Sequence, residues 1–168
     1  VFDGDRSNEP DGRVGEGFDE YLFYLFVQTV NRRNRDFAPA LDEICLSLTA
    51  WRAMSVINRL GGCLMSEMAE FTTVDRTTLT RTVDQLVKQD VVRRVESPTD
   101  RRQVRVELTE HGRALFDHAL GALKAHNTHA LRGLSAEDLT TLRALLQRIL
   151  KNLVPDEALF QKVMRFER

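Results

Sequence analysis

The stretch from Ser66 to Thr109 reads SEMAEF, TTVDRTTLTRTVDQLVKQD, VVRRVESPTDRRQVRVELT, and its three parts are a short helix, a longer amphipathic helix and a basic hairpin. On an ideal helix from Val74 to Gln89, Leu79, Val83, Leu86 and Val87 fall on one side, while Thr77, Thr78, Thr80, Arg81, Gln85 and Lys88 spread over the other. One face packs and the other is free. The short helix before it carries Met68, Ala69 and Phe71, and the small Ala69 allows the second helix to cross closely. Thr73 is the expected N-cap of the second helix.

After that helix, Val91, Val92 and Val95 suggest one strand and Val104, Val106 and Leu108 alternate as a second. Ser97-Pro98-Thr99-Asp100 supplies the turn between them. The tip holds Arg101 and Arg102, with Arg93, Arg94 and Arg105 nearby. From Val74 to Arg105 there are eight Lys or Arg against five Asp or Glu, so this segment is basic although the chain carries a formal charge of −1. Local charge rather than total charge marks a nucleic-acid footprint. The expected fold is mostly α with a small two-stranded β wing, a winged helix-turn-helix flanked by helices at both ends.

Two motifs also carry a family resemblance. Asp100-x-Arg102-x-x-x-Val106-x-Leu108-Thr109-x-x-Gly112 looks like the wing signature of MarR-type bacterial transcription regulators, and Thr78-Leu79-Thr80-Arg81-Thr82-Val83-Asp84-Gln85-Leu86 resembles their recognition helix. The likeness extends more loosely from about Phe18 to Val154, including Leu48 to Met54. Leu64 departs from it, because such proteins often have a capping Thr there. The resemblance implies a homodimer on double-stranded DNA, with the wing arginine in the minor groove. It further implies a small aromatic or anionic effector bound between the dimer helices and the DNA-binding lobe. In this chain that region would be lined by Tyr21, Tyr24 and Phe26, by Trp51 and Met54, and by His111. Plain core is the commoner fate of such an aromatic stripe.

The flanks fit this plan. Residues 1–17 are acidic and Gly-rich and read as a flexible arm. Phe18 to about Asn34 reads as a helix that is apolar nearly all round, so it needs cover on more than one side, in the core or at a subunit interface. Arg32, Arg33 and Arg35 close it, and Pro39 to Ser47 is a connection. Thr49 to Arg59 forms the next helix, ended by Gly61-Gly62. Beyond Thr109 one helix runs towards Leu131, and Ser135-x-x-Asp138 has the form of a capping box for another. Leu139, Leu142, Leu146, Ile149 and Leu153 make that last helix a seam for a partner, Pro155 stops it, and Ala158 to Phe166 adds a short terminal helix. Residues 18–48 and 109–168 are thus assigned to dimerisation and 49–108 to the DNA-binding domain.

Arg81 is the first candidate for base or phosphate contact, with Arg76, Thr77, Thr78 and Thr80 around it, since Arg bonds guanine edges and Thr meets phosphate or a thymine methyl. Arg102 at the wing tip suits the minor groove, Asp100 can support it, and Arg101 can exchange roles with it. The function expected is a ligand-responsive repressor on a pseudo-palindromic operator. A redox- or zinc-responsive regulator of the same fold is the alternative, and a winged helix used only for protein contact is a weaker one. Cys45 and Cys63 sense oxidants if one has a lowered pKa, but buried inert thiols are commoner. His111, His118, His126 and His129 share one side of a helix without a carboxylate or Cys at a convincing spacing, so neither a metal nor another cofactor is expected. No phosphate-cradling Gly loop, HExxH helix or GxSxG elbow argues for an enzyme. No apolar run approaches the ~20 residues of a membrane span, no secretory signal opens the chain, and the cysteines form no dense framework, so the cytoplasm is the expected location.

Overall fold

The computed structural model describes residues 18–96, 103–154 and 156–164. The acidic arm and the wing tip with Asp100, Arg101 and Arg102 lie outside them. Seven helices and a small antiparallel sheet are seen in the order α1 (Phe18–Asp42), α2 (Leu48–Leu60), β1 (Cys63–Leu64), α3 (Met65–Thr72), α4 (Arg76–Lys88), β2 (Val92–Glu96), β3 (Val104–Leu108), α5 (Glu110–Ala130), α6 (Ala136–Leu153) and α7 (Glu157–Met164). The expected α-rich winged architecture is present.

Several expectations are corrected. The first helix continues to Asp42 through Pro39, instead of ending near Asn34. Proline removes one donor from the ladder, but Phe37 and Leu41, both fully buried on either side of it, hold the last turns against the core. Arg32, Arg33 and Arg35 consequently lie within the helix rather than at its end. The wing has a third strand: Cys63–Leu64 pairs antiparallel with Val106 and Arg105, giving the order β1-β3-β2. A two-residue strand leaves no alternation to read. Asp75, not Thr73, caps α4, with its carboxylate accepting from the Thr78 amide at 2.9 Å. Thr73 instead ends α3 in the left-handed region, φ 54°.

The other helix ends are capped locally. The Ser47 hydroxyl accepts from the Ala50 amide at 3.0 Å to start α2, and Gly61, at φ 63°, ends it. Leu64 has no capping oxygen, and the Glu67 carboxylate compensates by accepting from the Leu64 amide at 2.8 Å. The Ser135 and Asp138 box is formed in both directions.

The core joins α1, α2, α3, α4, the sheet and α5 through Phe37, Leu41, Met54, Ile57, Met68, Leu79, Val83, Leu86, Val92, Val106, Phe116 and Ala119. Trp51 stacks on Phe116 at 4.8 Å between ring centroids and meets Phe37 edge-on at 5.6 Å. The start of α1 and all of α6 contrast with this. No residue of α6 is buried, and Tyr21, Tyr24, Val27, Leu142, Leu145 and Leu153 are exposed.

Candidate nucleic-acid interface

α4 is divided as its periodicity requires. Leu79, Thr82, Val83 and Leu86 are buried, while Arg76, Thr77, Thr78, Thr80 and Arg81 are all exposed, so the structure brings the five expected groove-reading residues onto one outward surface. The buried Thr82 hydroxyl is satisfied by donating to the Thr78 carbonyl at 2.8 Å, and Thr80 donates to the Arg76 carbonyl at 2.8 Å. Asp75 sits at the helix N-terminus, and the hydrogen bonds it accepts from Thr78 hold its carboxyl below the usual range. It therefore stays ionised as the cap of the helix.

The hairpin arginines behave differently from a simple basic patch. Arg93 pairs with Glu107 across the strands at 3.1 Å, Arg94 pairs with Asp84 of α4 at 2.6 Å, and the Arg105 guanidinium donates to the Gly62 carbonyl. Arg94 and Arg105 tie the hairpin to the rest of the fold, and Arg93 ties its two strands to each other. Sequence reasoning missed the Asp84–Arg94 pair because the two residues lie on different elements and only the fold makes them neighbours.

The residues suggested for an effector are not gathered in one place. Tyr21 and Tyr24 stack on each other at 6.0 Å on exposed α1, Trp51 and Met54 are core, and His111 is exposed at the start of α5. A cavity of about 380 Å³ lies between α1 and α6, lined by Leu22, Phe26, Leu142, Leu145 and Ile149 among others. Elsewhere, half-buried Arg33 donates to Asn127 at 3.1 Å and to Asn34 at 3.2 Å. Burial and then the nearby positive charge of Arg52 lower its pKa.

Cys63 is fully buried, and burial with the neighbouring Glu67 carboxylate pushes its thiol up to about 12 despite Arg105. Such a thiol is a poor oxidant sensor. Cys45 is exposed, contrary to the buried pair expected. His126 packs on Phe37 and His129 contacts Arg132 at 3.2 Å. Among the described residues no group of three or more His, Cys, Asp or Glu is placed to hold a metal. Nor is any helix among them long and apolar enough to cross a membrane.

The geometry of a recognition helix backed by a wing agrees with comparison to known proteins. Residues 46–104 match the sequence model described as the MarR family. The multiple antibiotic resistance protein MarR of Salmonella typhimurium is 30% identical over 132 residues, covering 77% of this chain and 88% of that protein. The chain belongs to the MarR family. It is a transcription regulator and not an enzyme, as the family's members are. Among MarR-family relatives, the HTH-type transcriptional regulator PecS of Dickeya dadantii is 29% identical over 137 residues, covering 77% of this chain and 82% of its own. The MarR-family regulator from Silicibacter pomeroyi superposes with a TM-score of 0.73 at 26% identity, covering 81% of this chain and 92% of that one. A mutant of MarR from E. coli complexed with operator DNA shares the fold, with a TM-score of 0.69 at 24% identity over 81% of this chain and 99% of that one.

Proposed function

We propose that this MarR-family chain is a repressor that binds a pseudo-palindromic operator as a homodimer and releases it in response to a small ligand. The observation that carries the DNA reading is α4, on which Arg76, Thr77, Thr78, Thr80 and Arg81 are exposed together above a fully packed opposite face. A helix of this kind fits the major groove, and Arg101 and Arg102, supported by Asp100, would then enter the adjacent minor groove. Residues 49–108 form the DNA-binding unit in this reading. Residues 18–48 and 109–168 form the dimerisation unit, supported by the apolar residues left uncovered on α1 and α6. Two-fold symmetry sets the recognition helices about 34 Å apart, one helical turn.

Selection of genomic fragments by the purified protein at near-physiological salt tests this. The wild type is expected to recover a pseudo-palindrome with binding that falls steeply as salt rises. Arg81→Ala should weaken it by roughly 1 to 3 kcal/mol per half-site and relax base preference there. Unchanged affinity of Arg81→Ala at matched salt would refute the groove assignment, and recovery of no sequence by the wild type would refute DNA binding itself.

An anionic effector is the ligand class favoured, because Arg33 and Arg52 place two positive charges near each other and no carboxylate pairs with either among the described residues. Added to the operator complex, a panel of aromatic and aliphatic carboxylates should include members that release DNA from the wild type and fail to release it from Arg33→Gln. Equal release from both proteins would exclude Arg33 from the ligand site.

A further inference from the structure

Two separate elements must meet one half-site together, α4 and the hairpin that follows it. The chain between them turns at Asp90, whose φ of 55° is left-handed. Packing secures the hairpin from its root to its middle, where Val91, Val92, Val106 and Leu108 are buried, but Arg93, Arg94 and Glu96 are exposed. On its exposed face the hairpin is tied to α4 by a polar contact. Arg94 Nη2 donates to Asp84 Oδ1 at 2.6 Å, a short charge-assisted bond from the middle of β2 to the third turn of α4. Asp84 follows Arg81 by three positions and so lies on the same side of the helix.

We propose that Asp84 and Arg94 are positioning residues that set the offset between α4 and the wing, and so select half-sites whose major-groove and minor-groove contacts have matching spacing. This rests on the DNA-binding reading above. Stability does not account for the pair, because both side chains are close to half exposed, 47% and 41%, and such ion pairs add little. Affinity does not account for Asp84 either, since a carboxylate beside the groove-reading arginine repels phosphate. Bonded to Arg94, its charge is balanced and the bond fixes a distance instead. The Arg93–Glu107 pair at 3.1 Å stiffens the same hairpin across its strands, so the brace acts on a body that moves as one.

The test compares wild type, Asp84→Asn, Arg94→Gln and the exchanged Asp84→Arg/Arg94→Asp protein, each full length, on the selected operator and on a shuffled sequence. Each single variant is expected to lose about tenfold of the preference for operator over shuffled DNA, and the exchanged protein to recover most of it. Hydroxyl-radical footprints should show loss of protection in the wing's minor groove with the recognition-helix footprint retained. Melting temperatures should stay within a few degrees of wild type. Arg94→Gln weakening both DNAs equally, with a reduced salt slope, while Asp84→Asn binds more tightly, would overturn the proposal by making Arg94 a phosphate ligand. Single variants indistinguishable from wild type would also overturn it. Failure of the wild type to prefer its operator would refute the DNA-binding reading as well, before any variant is compared.

Discussion

Leu145→Glu is expected to leave the protein monomeric and to lower its affinity for a two-half-site operator by more than about 100-fold. Leu145 is 48% exposed on a helix with no buried residue, so a charge there is tolerated by the isolated protomer. It lines the α1–α6 cavity with Leu22, Phe26, Leu142 and Ile149, an apolar surface that a second copy of the chain would cover. In a symmetric dimer the substitution occurs twice, and burying an unpaired carboxylate costs far more than the roughly 1.5 to 3 kcal/mol gained from burying a leucine. A monomer then holds one half-site at a time and loses the benefit of the second head being already nearby. Sedimentation equilibrium reads the mass, and titration of full and half operators reads the coupling. Thr140→Glu, exposed on the other side of α6, is the control. A dimeric Leu145→Glu with wild-type affinity would move the subunit interface elsewhere.

Gly112→Ala is the second large effect, and it acts on folding. Gly112 lies in the first turn of α5, and a Cβ there would stand 1.9 Å from the Val91 carbonyl oxygen and 2.9 Å from its carbon. Those are backbone atoms, fixed because the Thr109 amide donates to the same carbonyl at 3.1 Å and the Thr109 hydroxyl donates to Asp90. Neither α5 nor the root of β2 can withdraw without breaking the cap of the helix. A loss of about 3 kcal/mol, or roughly 10 °C in melting temperature, is expected. Gly121→Ala is the matched control: nothing lies within 4 Å of its added Cβ, and alanine in a helix interior stabilises by up to about 1 kcal/mol. Thermal unfolding followed by circular dichroism checks both. A Gly112→Ala protein that melts with the wild type would mean that α5 and β2 can separate at small cost.

The exposed face of α4 was legible because amphipathic periodicity is a local property. The positions of Leu79, Val83 and Leu86 require one face of α4 to be buried, and that alone turns Arg76, Thr77, Thr78, Thr80 and Arg81 outwards. Capping was partly legible. Ser135 and Asp138 act as their spacing implies, but Thr73 and Asp75 are both good caps two residues apart, and only the path of the α3–α4 turn chooses Asp75. The burial of the aromatics was not legible, since an aromatic side chain looks alike in a sequence whether it lines a pocket or, as Trp51 does, stacks in the core.

The sequence by itself determined the order of helices and wing, the exposed face of α4 and the uncovered apolar seam of α6, because each follows from residues a few positions apart. Tertiary structure alone decided the rest. It carried α1 through Pro39 by burying Phe37 and Leu41, added Cys63–Leu64 as a third strand, and raised the Cys63 thiol by enclosing it. It also paired the hairpin arginines with Glu107, Asp84 and the Gly62 carbonyl. These outcomes depend on which distant residues meet, and a surface arginine gains an ion-pair partner only when the fold supplies one.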